Sequence, residues 1–293
     1  MISIVIPNKN GTRVQSTLES IGRSSAEDIE IIIVDASEEP TGSAIPASLA
    51  ERTRLIRSDS RQLDAKILGS RSARGSFVLF LDADQTVSTG LLNELAQRRE
   101  AAIYIPEEVN GDNLFSKLSQ AKKDKVFRIV QRSLRDDIAA VPRYFSLELL
   151  QSAIARMVST CYTKSLIQHE DSALYHFVLA DILSQKLPVG FASNCIINEP
   201  ITGAMLFRKS LGYGVASSLH AAALKSTNLN KNPAAMLGQK IDLRTPATWL
   251  EPPVSMRALC FDIARALPYG LGYALGRSHI LNIKAVDRFR GTA

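Results

Sequence analysis

Short apolar runs, each stopped by polar or turn-forming residues, recur through the first two hundred positions. Ile2 to Ile6, Glu30 to Val34 and Phe77 to Leu81 are almost wholly apolar and rich in β-branched or aromatic residues. Runs of that length and composition predict strands buried on both faces. Pro7 is expected to stop the first of them. Between the first two runs, Val14, Leu18 and Ile21 repeat at helical spacing behind Thr12, which predicts a helix with Thr12 as its cap. Arg54 to Arg57 predicts a short strand, and Leu63 to Arg74 a helix with Gly75 just past its end. Strands and helices thus alternate, and this order predicts an α/β fold with a parallel, doubly wound sheet.

The pattern continues with a helix over Ser88 to Arg99, its Leu91, Leu92 and Leu95 inward, and a strand over Ala101 to Ile105. Residues 107 to 140 are polar and charged and predict exposed helices or a mobile loop. Ser146 to Val158 is periodic as a helix. His169, Glu170 and Asp171 open another through Leu174, Val178 and Ile182, with acidic residues at the end that suits its dipole. Val189 to Ile197 predicts a last strand. After Glu199 the character changes. A basic stretch with Gly212-Tyr213-Gly214 leads to a linker at Asn228 to Pro233. Met256 to Leu267 is then amphipathic: Met256, Leu259, Ile263 and Leu267 share one face, opposite Arg257, Asp262 and Arg265. Pro268 is expected to break this helix before the uncharged Tyr269 to Gly276. The division expected is a first domain over 1–200, in halves of about 1–105 and 106–200, and a basic helical extension over 201–293.

Composition narrows the partners. The 293 residues suffice for one large or two small cores. The net charge of +6 favours anionic ligands but is too diffuse to argue for nucleic acid. Three scattered cysteines, Cys161, Cys195 and Cys260, make neither a metal spacing nor a disulfide framework and point to a reducing compartment. The opening MISIVIPNKN reads as a strand rather than a secretion signal. No apolar run approaches the roughly 20 residues that span a bilayer.

The chemistry centres on Asp82-Ala83-Asp84, which ends the third buried run. If the chain stays extended there, both carboxylates leave the sheet on one side. Ligands of open α/β sheets bind beyond the carboxyl ends of the strands. Two carboxylates at that place suit Mg²⁺ or Mn²⁺ carrying a diphosphate. Taken alone, the pair reads more readily as a strand followed by a solvated acidic turn, and it is the context that changes this.

With these residues laid out, the chain resembles the inverting family 2 glycosyltransferases of the GT-A fold. SIVIPNKN is similar to that family's opening strand and turn, and EIIIVDAS to its second strand. AKILGSRSARGSFVLFLDAD is similar to its helix, glycine and Asp-x-Asp strand, and HEDSALYHFVLAD to the helix start that supplies its base. The four segments come in the family's order and cover roughly residues 1 to 200. VPRYF at 141–145 and FRKSLGYG at 207–214 resemble parts of prokaryotic members that act at the membrane. The resemblance implies that Pro7, Asn8, Asn10, Asp35, Lys66, Asp82 and Ala83 bind the donor. It places the metal, Mn²⁺ or Mg²⁺, at Asp84 with Asp82, and makes Asp171 the general base. It puts Glu107, Arg143, His169, Glu170 and Arg208 in an acceptor shell. The implied partners are a UDP- or GDP-type nucleotide sugar and a polyprenyl-linked acceptor met at the inner face of the cell membrane, with no nucleic acid.

Three positions depart from that pattern. Ala36 stands where many members have a second Asp, Lys66 where Arg is commoner, and Asn198 near a usual His. No Gln-x-x-Arg-Trp motif of processive synthases occurs, so one sugar per encounter is expected. Two other readings remain open at this point. A sugar-phosphate nucleotidyltransferase would use Gly11-Thr12-Arg13 but lacks its glycine-rich loop. A non-catalytic nucleotide-sugar-binding or membrane scaffold protein would explain Ala36 and Asn198, but not the joint presence of Asp82, Asp84 and Asp171.

Overall fold

The computed structural model describes residues 1–9, 13–38, 41–132, 141–159, 170–226 and 256–277. The first half alternates as the apolar runs require: β1 (Ile2–Asn8), α1 (Val14–Gly22), β2 (Ile29–Asp35), β3 (Thr53–Arg57), α2 (Gln62–Ser72), β4 (Phe77–Phe80). These four strands lie side by side as β3-β2-β1-β4, all parallel. β2 is buried along its whole length, as is β1 apart from Pro7. α1 lays Val14, Leu18 and Ile21 on the sheet, the face its spacing predicts. Its start has no side-chain cap from Arg13, and Thr12 lies outside the described residues.

The chain then adds β5 (Gln85–Val87), α3 (Leu91–Ala96), β6 (Ala102–Tyr104), β7 (Glu107–Val109), α4 (Leu114–Arg132), β8 (Tyr144–Ser146) and α5 (Leu147–Ser159). It continues with α6 (Glu170–Gln185), β9 (Val189–Phe191), β10 (Ile196–Asn198), α7 (Gly203–Ser226) and α8 (Met256–Arg277). The main sheet is completed as β4-β8-β6-β9, and β5, β10 and β7 form a second, three-stranded sheet. β8 runs antiparallel to both its neighbours. The sheet is therefore mostly parallel rather than purely so. Arg143 lies just before β8 and joins its flanks: its carbonyl accepts from Phe80 N (2.8 Å) and its N–H donates to Ile103 O (3.2 Å).

Several elements differ from the sequence reading for local reasons. Pro7 does not stop β1. Pairing to β4 ends at Val5, so the residue without an N–H lies beyond that ladder, and β1 runs on beside β2 to Asn8. The strand of the third buried run ends at Phe80, Leu81 N still donates to Val5 O (3.2 Å), and the chain turns at Asp82, whose carbonyl accepts from Gln85 N (3.0 Å). The two carboxylates therefore do not continue an extended strand. Val189 to Ile197 is two strands in two sheets, because Ser193 and Asn194 turn the chain around the Glu94 carboxylate. Residues 107 to 140 hold β7 and the 19-residue helix α4 within what is described. Pro268 sits inside α8 without ending it.

Two compact units result. One holds residues 1–108, 140–156 and 177–199, and thus the main sheet. The other holds 109–139, 157–176 and 200–293, and is helical where described. In the helical unit α7 and α8 approach backbone to backbone, because glycine stands at both contact points. A side chain on Gly214 would meet the Tyr269 carbonyl, and one on Gly272 the Leu211 carbonyl. Leu118, Leu206 and Phe261 form its buried cluster. No described helix is long and apolar enough to cross a membrane.

Gly272→Ala should therefore destabilise the helical unit by about 1–3 kcal/mol, although Ala is the better helix former. Gly270→Ala, with open space around it, should be neutral or slightly stabilising. Urea midpoints of the two variants against the parent protein check this contrast.

Candidate active site

Parallel pairing brings the carboxyl ends of three strands level. Asn8 of β1 is in register with Asp35 of β2, and Asp35 with Arg57 of β3. The Asp35 carboxylate is fully buried and fully used. Its Oδ1 accepts from Ser37 N (3.1 Å) and Ser37 Oγ (2.5 Å), and its Oδ2 pairs with Arg57 Nη1 at 2.5 Å. Asn8 Nδ2 donates to Thr41 Oγ1 (2.9 Å) and, more weakly, to Asp35 and Ser37 (3.3 Å each). Arg57 Nη2 also donates to Ser37 O (2.6 Å), while half of its side chain remains in solvent. Burial alone would raise the Asp35 pKa; the bonds from Ser37, Thr41 and Arg57 outweigh it and hold the carboxyl below its ordinary value.

The fourth strand end carries the aspartates. β4 is fixed at its start by the buried Glu30 carboxylate, which accepts from Ser3 Oγ (2.6 Å) and the Arg74 N–H (2.6 Å). At its end, Thr17 Oγ1 of α1 donates to Ala83 O (2.9 Å) and Asp82 N donates to the Gln85 side chain (3.0 Å). The turn is thus pinned from both sides. Asp82 faces cations: Lys66 Nζ lies 3.6 Å from its Oδ1, and Arg143 Nη1 3.6 Å from its Oδ2. Gln62 Nε2 donates to Oδ1 as well (3.0 Å). Lys66 has no solvent exposure and sits over the Phe80 ring at 5.6 Å. Burial raises the Asp82 pKa, but the charges of Lys66 and Arg143 overcome it and keep it below the ordinary carboxylate value. Asp84 is different. Its carboxylate is half-buried and makes no hydrogen bond or ion pair among the described residues.

A third layer ties this turn to the small sheet. Arg143 Nε and Nη2 both donate to Glu107 Oε1 (3.1 and 3.0 Å). Asn198 Nδ2 donates to Glu107 Oε2 (3.3 Å) and Glu108 O (3.0 Å), and its Oδ1 accepts from Gln85 (2.9 Å). Asn198, singled out for its position near a usual metal-binding His, thus has its amide committed to β5 and β7.

The structure brings together Asn8, Asp35, Lys66, Asp82, Ala83, Asp84, Glu107 and Arg143, with Pro7 beside Asn8 in β1. Arg208 is exposed on α7 in the helical unit. Asn10 and His169, and the side chains of Glu170 and Asp171, lie outside the described residues; α6 begins at Glu170. Sequence reasoning missed Thr17, Ser37, Thr41, Arg57, Gln62 and Gln85. Arg57 was within reach of the strand-end rule, since it closes the expected third strand. The others are ordinary polar residues whose role exists only in three dimensions.

The donor set fits a divalent cation shared with a phosphate-bearing ligand better than one held by protein alone. Among the described residues no three His, Cys, Asp or Glu side chains cluster to hold a metal. Asp84 offers one unpartnered carboxylate on a rigid turn, and Mg²⁺-type sites commonly use one or two carboxylates plus phosphate oxygens and water.

Residues 3–147 match the family model "Glycosyl transferase family 2". The uncharacterized glycosyltransferase EpsJ of Bacillus subtilis is 28% identical over 105 residues, 34% of this chain and 30% of that protein. The match thus spans under a third of that relative's length. Among solved structures, the mannosyltransferase PcManGT from Pyrobaculum calidifontis, in complex with GDP-Man and Mn²⁺, aligns with a TM-score of 0.51 at 14% identity. That alignment covers 99% of this chain and 78% of that one, and it supports the GT-A-like fold. S. aureus TarS 1-349 in complex with UDP-GlcNAc aligns at 14% identity over 99% of this chain and 89% of that one. Its TM-score of 0.49 is too low to carry an argument.

Two depressed carboxyls give a sign to the pH dependence. Asp35 and Asp82 are both held below the ordinary carboxylate value in the folded chain, so as pH falls the unfolded chain takes up those protons first. Stability should be level above about pH 5 and fall as pH drops through that window. Asp35→Asn should flatten this fall, at the cost of lower stability at neutral pH. Urea unfolding of both proteins between neutral pH and about pH 3 measures it.

Proposed function

Since residues 3–147 form a family 2 glycosyltransferase domain, we propose that the protein moves one sugar from a UDP- or GDP-type nucleotide sugar to an acceptor hydroxyl or phosphate, with inversion. One observation carries this reading. The strand ends line up a row of polar side chains, Asn8, Asp35 and Arg57, beside a pinned turn whose Asp84 carboxylate has no partner among the described residues. In this reading Asn8 and Asp35 do not meet the donor through free lone pairs. They hold Ser37 and Thr41 in place, and Arg57 presents its exposed edge to the base or ribose. Asp82 positions the turn through Lys66, Gln62 and Arg143. Asp84 is the residue that would hold Mn²⁺ or Mg²⁺.

That metal, when bound, neutralises charge developing on the diphosphate as it leaves. The chain's own contribution lies on the other face of the sugar. The acceptor oxygen forms its bond to the anomeric carbon as the bond to the diphosphate breaks, and its proton passes to the Asp171 carboxylate. General-base help of this kind is worth roughly 10² to 10⁴ in rate. A single displacement inverts the centre. We read the acceptor as lipid-linked, a polyprenyl phosphate or a glycan built on one, reached at the inner face of the cell membrane.

Asp84→Ala should remove the Mn²⁺-dependent rise in thermal midpoint that UDP or GDP produces, since a ligand of the folded state stabilises it. Asp171→Asn should keep that rise and lose at least about a hundredfold in turnover. Turnover by Asp171→Asn close to the parent's, with donor and acceptor saturating, would remove the base assignment. An unchanged Mn²⁺ response in Asp84→Ala would move the metal elsewhere.

A further inference from the structure

The outward side of α8 is apolar. Ile263, Ala266, Leu267, Gly270, Leu271 and Ala274 recur at three- and four-residue spacing and all are exposed. Leu267 is 80% exposed, Ile263 58% and Leu271 51%. The inward side is mixed: Phe261, Pro268 and Gly272 are buried there, and Asp262 pairs with Lys122 of α4 at 2.9 Å, each side chain only 13% exposed. A helix that only packs on a water-soluble body turns a polar face outward, whereas α8 turns an apolar one. An uncharged, apolar face of this length marks an interaction surface.

Charge selects the occupant. α4, α7 and α8 together carry twelve Lys and Arg against two Asp. The whole chain has 35 basic and 29 acidic residues, so everything outside these helices carries an acidic excess. Exposed Arg208 and Lys209 adjoin Phe207, itself 50% exposed on α7. Tyr213 and Tyr269, each 37% exposed, add amphipathic rings of the type favoured at a membrane boundary. A second copy of the chain would bring two strongly basic bodies together on this face. An apolar stripe on a basic body instead matches an anionic lipid surface, with acyl chains for the stripe and headgroups for the bases.

We propose that the outward face of α8 docks the protein on an anionic bilayer, lying in its surface without crossing it. This deepens the membrane part of the reading above and is independent of its chemistry. The test is co-sedimentation of the full chain with phosphatidylglycerol-containing vesicles and with phosphatidylcholine vesicles, at about 0.1 M and about 1 M salt, where screening lengths are about 10 and 3 Å. The protein should bind the anionic vesicles and release at high salt. Ile263→Asp/Leu267→Asp should bind at least about tenfold more weakly, with its thermal midpoint and its nucleoside diphosphate response unchanged. If that pair lowers the midpoint, Leu267→Gln/Leu271→Gln is read in the same way. No sedimentation of the parent with anionic vesicles overturns the proposal, as does equal binding by a folded variant. A parent dimer that the substitutions convert to monomer also overturns it, in favour of a second copy. The nucleoside diphosphate response fails or survives separately, and it reports on the sugar-transfer reading.

Discussion

A lysine with no solvent exposure must be answered by an opposite charge, and Lys66 is answered by Asp82. Removing a charge from water costs several kcal/mol unless a partner and further hydrogen bonds compensate. Moving Asp82 would weaken that compensation. Because Arg143 and Gln62 hold the same carboxylate, the end of β4, the start of α2 and the approach to β8 are locked to one atom group. Asp84, two residues on, inherits a fixed position without a bond of its own among the described residues. A group that must meet a ligand is best left unpartnered while its neighbours carry the structural bonds.

The same division of labour runs along the sheet. Asp35 is buried and saturated by hydrogen bonds, so it organises Ser37, Thr41 and Arg57 rather than offering itself. Ala36 lies next to it, and the cation that completes the pair comes from β3 instead. Glu94 acts likewise at the far edge. Its carboxylate accepts the Ser193 and Asn194 N–H groups and so sets the turn that sends β10 into the small sheet. Asn198 of β10 then returns to Gln85, which braces the aspartate turn. Each link is a buried or half-buried polar group with its partner in place, which is the condition for such a network to specify one arrangement.

Much of this was legible in the sequence. Unbroken apolar runs located β1, β2 and β4, and the 3.6-residue period located α1, because burial on both faces or on one stripe leaves a direct mark on residue type. Asp82 and Asp84 stood out in the sequence as two carboxylates closing a buried run. Their geometry was not: the turn at Asp82 depends on Gln85 and Thr17, whose side chains carry no pattern. β8 was missed because three residues of an antiparallel strand are too few for a period. Pro268 was read as a break, yet α8 passes through it. The exposure of one apolar side of α8 was not legible either, because an amphipathic period shows that a helix has two faces and not which one meets the protein. Lys66 stood out only as standing where Arg is commoner, and its burial appears only in the fold.

The central claim is that Asp82 serves Lys66, and so fixes the turn that presents Asp84. A double-mutant cycle on Lys66→Met and Asp82→Asn, read as unfolding free energy at neutral pH, tests it most directly. Each single change takes one charged partner from the other and should destabilise by about 1–3 kcal/mol. The double variant should cost clearly less than the two singles together, with a coupling of at least about 1 kcal/mol. Additive losses, to within about 0.5 kcal/mol, would contradict the claim and make the Asp82–Lys66 contact incidental.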